Sequence, residues 1–233
     1  MTLSIGSTAS TGNDSAGQTQ FSITSVTAGS TLVLACVGQG AISSVVTSGE
    51  TWELQANDQT DIAGYNTELS AYIARNVASG SHTITVQSSD GYYTLLVVEV
   101  ISDVGLLDSA HAAIRFDATE PHTSGGITTT TADCALVSGI IHGGGNGSTF
   151  NANQSGGSAW TLQEEITNGG TNWVGAIATR IVSSTGAYDC DWGNANNEDA
   201  ICFVIDIPEV SAGGATPKGV FNNPFYGPFG GPI

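Results

Sequence analysis

The stretch Gly49-Glu50-Thr51-Trp52-Glu53-Leu54-Gln55 returns later in the chain as Gly157-Ser158-Ala159-Trp160-Thr161-Leu162-Gln163. With four Trp in 233 residues, a Gly, Trp, Leu and Gln recurring at one spacing predicts one unit made twice. Flanking stretches extend the match. Thr131-Ala132-Asp133-Cys134-Ala135-Leu136-Val137 answers residues 27–33, and residues 143–150 answer 38–45. Arg180-Ile181-Val182 answers Arg75-Asn76-Val77, Gly186-Ala187-Tyr188 answers Gly80-Ser81-His82, and Val204-Ile205-Asp206-Ile207 answers Val97-Val98-Glu99-Val100. The offset stays near about 105 residues and drifts only across loops.

The pieces around the repeated motif read as strands. Phe21-Ser22-Ile23-Thr24-Ser25-Val26 alternates apolar and polar, the two-residue period of a half-buried strand. Thr31-Leu32-Val33-Leu34-Ala35-Cys36-Val37 is nearly continuous apolar sequence, which predicts a strand covered on both faces. Further strands are expected over residues 42–46, 69–77, 82–86 and 92–101, with a hairpin turn at Ser88-Ser89-Asp90-Gly91. Residues 1–20 read either as an edge strand or as a loose arm, and 56–66 as an exposed polar loop. Residues 104–130 connect the units, and 112–116 form the core of the second unit's first strand. The expected fold is therefore all-β, an antiparallel sandwich of jelly-roll type, internally duplicated. Its first repeat spans 1–103 and its second 104–210, either as two domains or as one continuous sandwich. An extended arm spans 211–233.

Charge excludes several partner classes. Four Lys and Arg against 21 Asp and Glu give a net −17, a surface that repels phosphate backbones and anionic headgroups. Nucleic acid and membrane are not expected partners. The remaining readings of the charge are solubility, docking on a basic partner, and divalent-cation binding. No apolar run approaches the roughly 20 residues that span a bilayer. Residues 1–20 lack a basic and apolar leader, which predicts synthesis in a cytoplasm unless a signal was removed earlier.

Candidate sites are few. Arg75 and Arg180 hold equivalent repeat positions; they read as anion ligands or as structural cations at strand ends, paired to a carboxylate or to exposed carbonyls, with the equivalent Glu99 and Asp206 as candidate partners. Trp52 and Trp160 read as sugar platforms or as plugs of each unit's core beside Leu54 and Leu162. Residues 189–199 concentrate oxygen ligands but fail the EF-hand spacing, leaving a calcium turn or a solvated hairpin. The four His, at 82, 111, 122 and 142, form no metal-binding spacing, and the four Cys, at 36, 134, 190 and 202, form no Cys-x-x-Cys. Cys190 and Cys202 could face each other on neighbouring strands. No catalytic constellation, cofactor site or metal site is expected. Beyond Ser211 lie a Gly-rich linker and Phe221, Phe225, Tyr226 and Phe229 on a Pro/Gly backbone, which predicts an arm that docks those rings on a neighbouring subunit.

Three further stretches carry a resemblance: Thr27-Ala28-Gly29-Ser30-Thr31-Leu32-Val33-Leu34, Val46-Thr47-Ser48-Gly49-Glu50-Thr51-Trp52, and residues 74–86. Over about residues 20–207 they resemble β-sandwich proteins of tailed bacteriophages and environmental bacteria. The resemblance implies a virion surface role, as a capsid decoration, cement or fibre-associated subunit. It also implies partners among other virion proteins and copies of the chain itself, and it implies no catalytic residues. The other reading is a carbohydrate-binding module that uses Trp52, Trp173 or the Tyr92/Tyr93 pair as platforms.

Overall fold

The computed structural model describes residues 3–13, 18–62, 65–88, 93–103, 105–106, 111–117, 119–143, 149–156, 159–167, 173–194 and 199–210. The first half holds β1 (Ser4–Asn13), β2 (Gln18–Val26), β3 (Thr31–Gln39), β4 (Ile42–Thr47), β5 (Trp52–Ile62), β6 (Tyr65–Ala74), β7 (Gly80–Ser88) and β8 (Tyr93–Ile101). The second half holds β9 (Ala112–Asp117), β10 (His122–Thr123), β11 (Ile127–Thr129), β12 (Cys134–Gly143) and β13 (Phe150–Asn151). After these come β14 (Thr161–Ile166), β15 (Trp173–Val182), β16 (Gly186–Tyr188), β17 (Asp191–Asn194) and β18 (Ala200–Pro208). The fold is all-β, and every paired ladder between these strands is antiparallel.

The first half forms a five-stranded sheet, β1-β8-β3-β6-β5, and a three-stranded sheet, β2-β7-β4. The second half forms a five-stranded sheet, β14-β15-β12-β18-β9, backed by the smaller groups β10-β17-β13 and β11-β16. The matched stretches put β3, β6 and β8 against β12, β15 and β18 in sequence. These strands hold the same ranks in the two large sheets, read in opposite directions.

Side-chain alternation explains how four layers stack. On β3, Val33, Ala35 and Val37 face one way; Leu32, Leu34 and Cys36 face the other. The first set joins Leu96, Val98 and Val100 of β8 and Val137, Ile177, Phe203 and Ile205 of the second half in a central core. The second set packs on Phe21, Ile23, Ile84 and Val86 of the three-stranded sheet. On the far side, Leu136, Ile140, Val174 and Val204 pack on Phe150, Trp160 and Trp192. Three apolar cores thus alternate with four β layers, and the two large sheets are covered on both faces. That is why their inner strands read as continuous apolar runs.

Two glycines make room for their cross-strand neighbours within the second half's large sheet. A Cβ on Gly139 would strike the Phe203 ring, and one on Gly175 would fall 2.8 Å from Ile141 Cγ1 and 2.9 Å from the Ile140 carbonyl. The stacked sheets are also tied by polar contacts. Thr8 Oγ1 donates to Glu164 Oε1 at 2.6 Å, and Thr94 Oγ1 donates to the Trp173 carbonyl at 2.8 Å, both between halves.

Several expectations change. The undecided segment 1–20 supplies β1, an edge strand on β8, and β2. Residues 56–66, read as a loop, belong mostly to the long β5–β6 hairpin. An edge strand meets solvent along its outer side, so apolar alternation is not required of it. Leu54 and Leu162, expected in the cores beside Trp52 and Trp160, are 48% and 39% exposed. Their strands bulge at the next step, with register shifts between Leu54 and Ala56 and between Leu162 and Glu164. Both Leu precede the bulge in regular register, on strands β5 and β14 at the rims of their sheets.

Candidate functional site

The two repeat-equivalent Arg residues end up in different chemical company. Arg75 Nε lies 3.6 Å from Glu53 Oε2. Neither Glu99 nor Asp206 fills the partner role expected from the sequence. Glu99, buried, accepts from the Ser7 backbone N–H at 2.8 Å and from that of Thr27 at 2.6 Å. Asp206, also buried, accepts from the His111 N–H at 2.5 Å and lies 3.0 Å from its Nδ1. Glu99 thus ties β8 to edge strand β1 and to the turn after β2, and Asp206 ties β18 to the residue before edge strand β9. The register explains the miss: Arg180 and Asp206 both face Leu136 but from opposite sides of β12.

Arg180 has no carboxylate within ion-pair distance among the described residues. Thr161 stands where the similar stretch of the first half has Glu53. Its guanidinium lies instead 5.0 Å from the centroid of the Tyr188 ring, a cation–π arrangement. Tyr188 is held by its hydroxyl, which donates to the Ser184 carbonyl at 2.8 Å. Ile127 opposes Tyr188 across its ladder, and Ile23 opposes His82 across the first half's. His82 Nε2 bonds the Ala78 carbonyl at 2.8 Å, and its Nδ1 lies 3.6 Å from Glu50 Oε1.

Around Arg180 the outer layer of the second half is concave. A recess of about 130 Å³ is lined by Asn153, Trp160, Arg180, Asp189 and Asp191, among others. A wider one of about 430 Å³ lies beyond Asp189, between Gly125, Gly126, Thr128 and Tyr188. Asp189 belongs to both and is rigidly placed. Its Oδ1 accepts from the Ser124 N–H at 3.0 Å, the Ser124 hydroxyl at 2.6 Å and the Cys190 N–H at 2.8 Å. Trp160 Nε1 donates to the Asp189 carbonyl at 3.1 Å. Trp160 and Arg180, chosen from the sequence, therefore meet. Asp189 and Asp191 were legible there only as members of an acidic turn, and Tyr188 only as a repeat match.

The other candidates distribute as follows. Trp160 is buried in the outer core, and half-buried Trp52 packs against the first half's core with Nε1 donating to Thr47 Oγ1 at 2.8 Å. Trp173, named as a sugar platform, is buried in the central core and presents no face to a ligand. Tyr92, the side chain of Tyr93, and Phe221, Phe225, Tyr226 and Phe229 lie outside the described residues, as do residues 195–198 of the acidic turn. All four Cys are free and buried. Desolvation pushes their thiols up, Cys134 to about 11 and the others further, so thiolate chemistry is suppressed at neutral pH. Among the described residues no three His, Cys, Asp or Glu side chains gather as a metal ion would require.

A scan against protein-family models found no match to the chain, and searches of curated proteins and of solved structures found none either.

Proposed function

We propose that the chain is a non-enzymatic structural subunit of a virion surface, a capsid decoration or cement protein, working beside other virion proteins and copies of itself. The observation that carries this reading is the continuous four-layer core. The two five-stranded sheets spend both faces on packing, which suits a slab that holds shape rather than a scaffold that opens around a substrate. The net charge of −17 keeps the solvent face soluble at high local concentration. We attribute the matching strand ranks to duplication of one sandwich, and we assign the inter-subunit contacts to the loops and to the arm at 211–233.

Size-exclusion chromatography with light scattering, comparing the full chain with one ending at Val210, tests the assembly role. The expected result is an oligomer that becomes a folded monomer on truncation, because both repeats end before Ser211. Monomers in both cases would remove self-assembly through the arm.

A further inference from the structure

We propose that the outer layer of the second half binds a neutral saccharide, with vicinal hydroxyls bridging Arg180 and Asp191 in the smaller recess and the sugar ring lying toward Gly125 and Gly126. The proposal does not depend on the virion reading. It starts from a difference between the two repeats. In the first half the matching positions stand close to carboxylates: Arg75 Nε lies 3.6 Å from Glu53, and His82 Nδ1 lies 3.6 Å from Glu50. In the second half Thr161 and Ser158 stand at the matching positions, and Arg180 is left without an ion pair among the described residues.

The chemistry of the recess selects the ligand class. One guanidinium and two carboxylates share its walls, so a bare anion meets two like charges and a bare cation meets Arg180. A pair of hydroxyls satisfies both, donating to a carboxylate while accepting from the planar N–H fork. Stacking on Tyr188 fixes that fork in place, and three hydrogen bonds to Oδ1 fix Asp189. Such preorganisation lowers the ordering cost of binding. The adjoining 430 Å³ hollow falls in the size range of small-molecule sites, roughly 300–1,000 Å³. Gly125 and Gly126, with φ of +88° and +68°, bring bare backbone to its wall, where a side chain would be strained.

The test titrates the full-length protein with neutral gluco-, galacto- and manno-configured oligosaccharides, read by saturation-transfer NMR and calorimetry. At least one should bind with a dissociation constant of about 1 mM or tighter. R180Q and D191N should each weaken it at least about tenfold, the usual scale for a charge-assisted hydrogen bond. R75Q, the equivalent change in the first half, should leave it within about twofold. D191N serves if R180Q misfolds, because the Asp191 carboxylate makes no hydrogen bond among the described residues. The proposal is overturned if no neutral saccharide binds, if binding survives D191N, or if a sialylated or sulfated analogue binds more tightly than its neutral parent.

Discussion

Glu99 carries a carboxylate into the interior of the first half, where two backbone N–H groups from Ser7 and Thr27 stand in for a cation. Gly6 makes this possible, since a Cβ there would collide with Glu99 Oε2. His122 is buried in the opposite sense. Desolvation holds its imidazole below the usual 6.5, against the opposing pull of Asp117, Glu120 and Asp199. The unfolded chain therefore binds the proton more tightly than the folded one. The stability His122 confers is complete above about pH 6.5 and is lost as pH falls through its lowered pKa. Urea titrations between pH 7.5 and 5 should show the wild type losing more stability on acidification than H122N, with an excess slope below about 1.4 kcal/mol per pH unit. Equal slopes would assign acid sensitivity to the carboxylates alone. At this scale the sequence was legible in part. Matching the two similar stretches aligned Arg75 with Arg180, but a match in sequence does not say which neighbour lies across the ladder.

The repeated Trp-x-Leu-Gln owes its recurrence to an element-level need. It opens edge strand β5 in the first half and leads into edge strand β14 in the second, with a bulge one step after the Leu, at Gln55 and Gln163. A bulged edge is a poor template for pairing with another chain, so the motif guards the two rims. Gln163 also donates to Thr179 Oγ1 at 2.7 Å. Replacing it with Ala should cost about 1 kcal/mol, the net worth of a typical hydrogen bond. Deleting it forces β14 into a regular register and removes the bulge's local bend and twist together with that hydrogen bond, at a cost larger than that of the Ala change. Chemical denaturation of the two variants makes the comparison; equal midpoints would deny the bulge its role. Alternation and turn chemistry revealed the strands of the inner layers because burial writes the period into them. Edge strands such as β5 are wet on one side and polar along much of their length, so the same reading mistook 56–62 for loop.

At the scale of the whole molecule, the sequence left open whether the repeats are two domains or one body. The central core closes that gap physically, because Val33, Leu96 and Val98 pack in one cluster with Val137, Ile177 and Phe203. Neither half can lose its large sheet without exposing the other's. Thermal unfolding should therefore be a single transition, with a calorimetric to van't Hoff enthalpy ratio near about one rather than the two of independent halves. The outer recess of the second half could not be seen from sequence, since it depends on loops from four segments meeting around Asp189.

The sheet order also gives the molecule a direction under load. β1 is laced to β8 alone, whereas β18 is laced along both sides, to β12 and β9. A pull on the leading strand peels one ladder bond by bond; a pull on the trailing strand must shear two ladders together. The body thus has a weak handle and a strong one, and the strong one lies on the strand that leads into the aromatic tail.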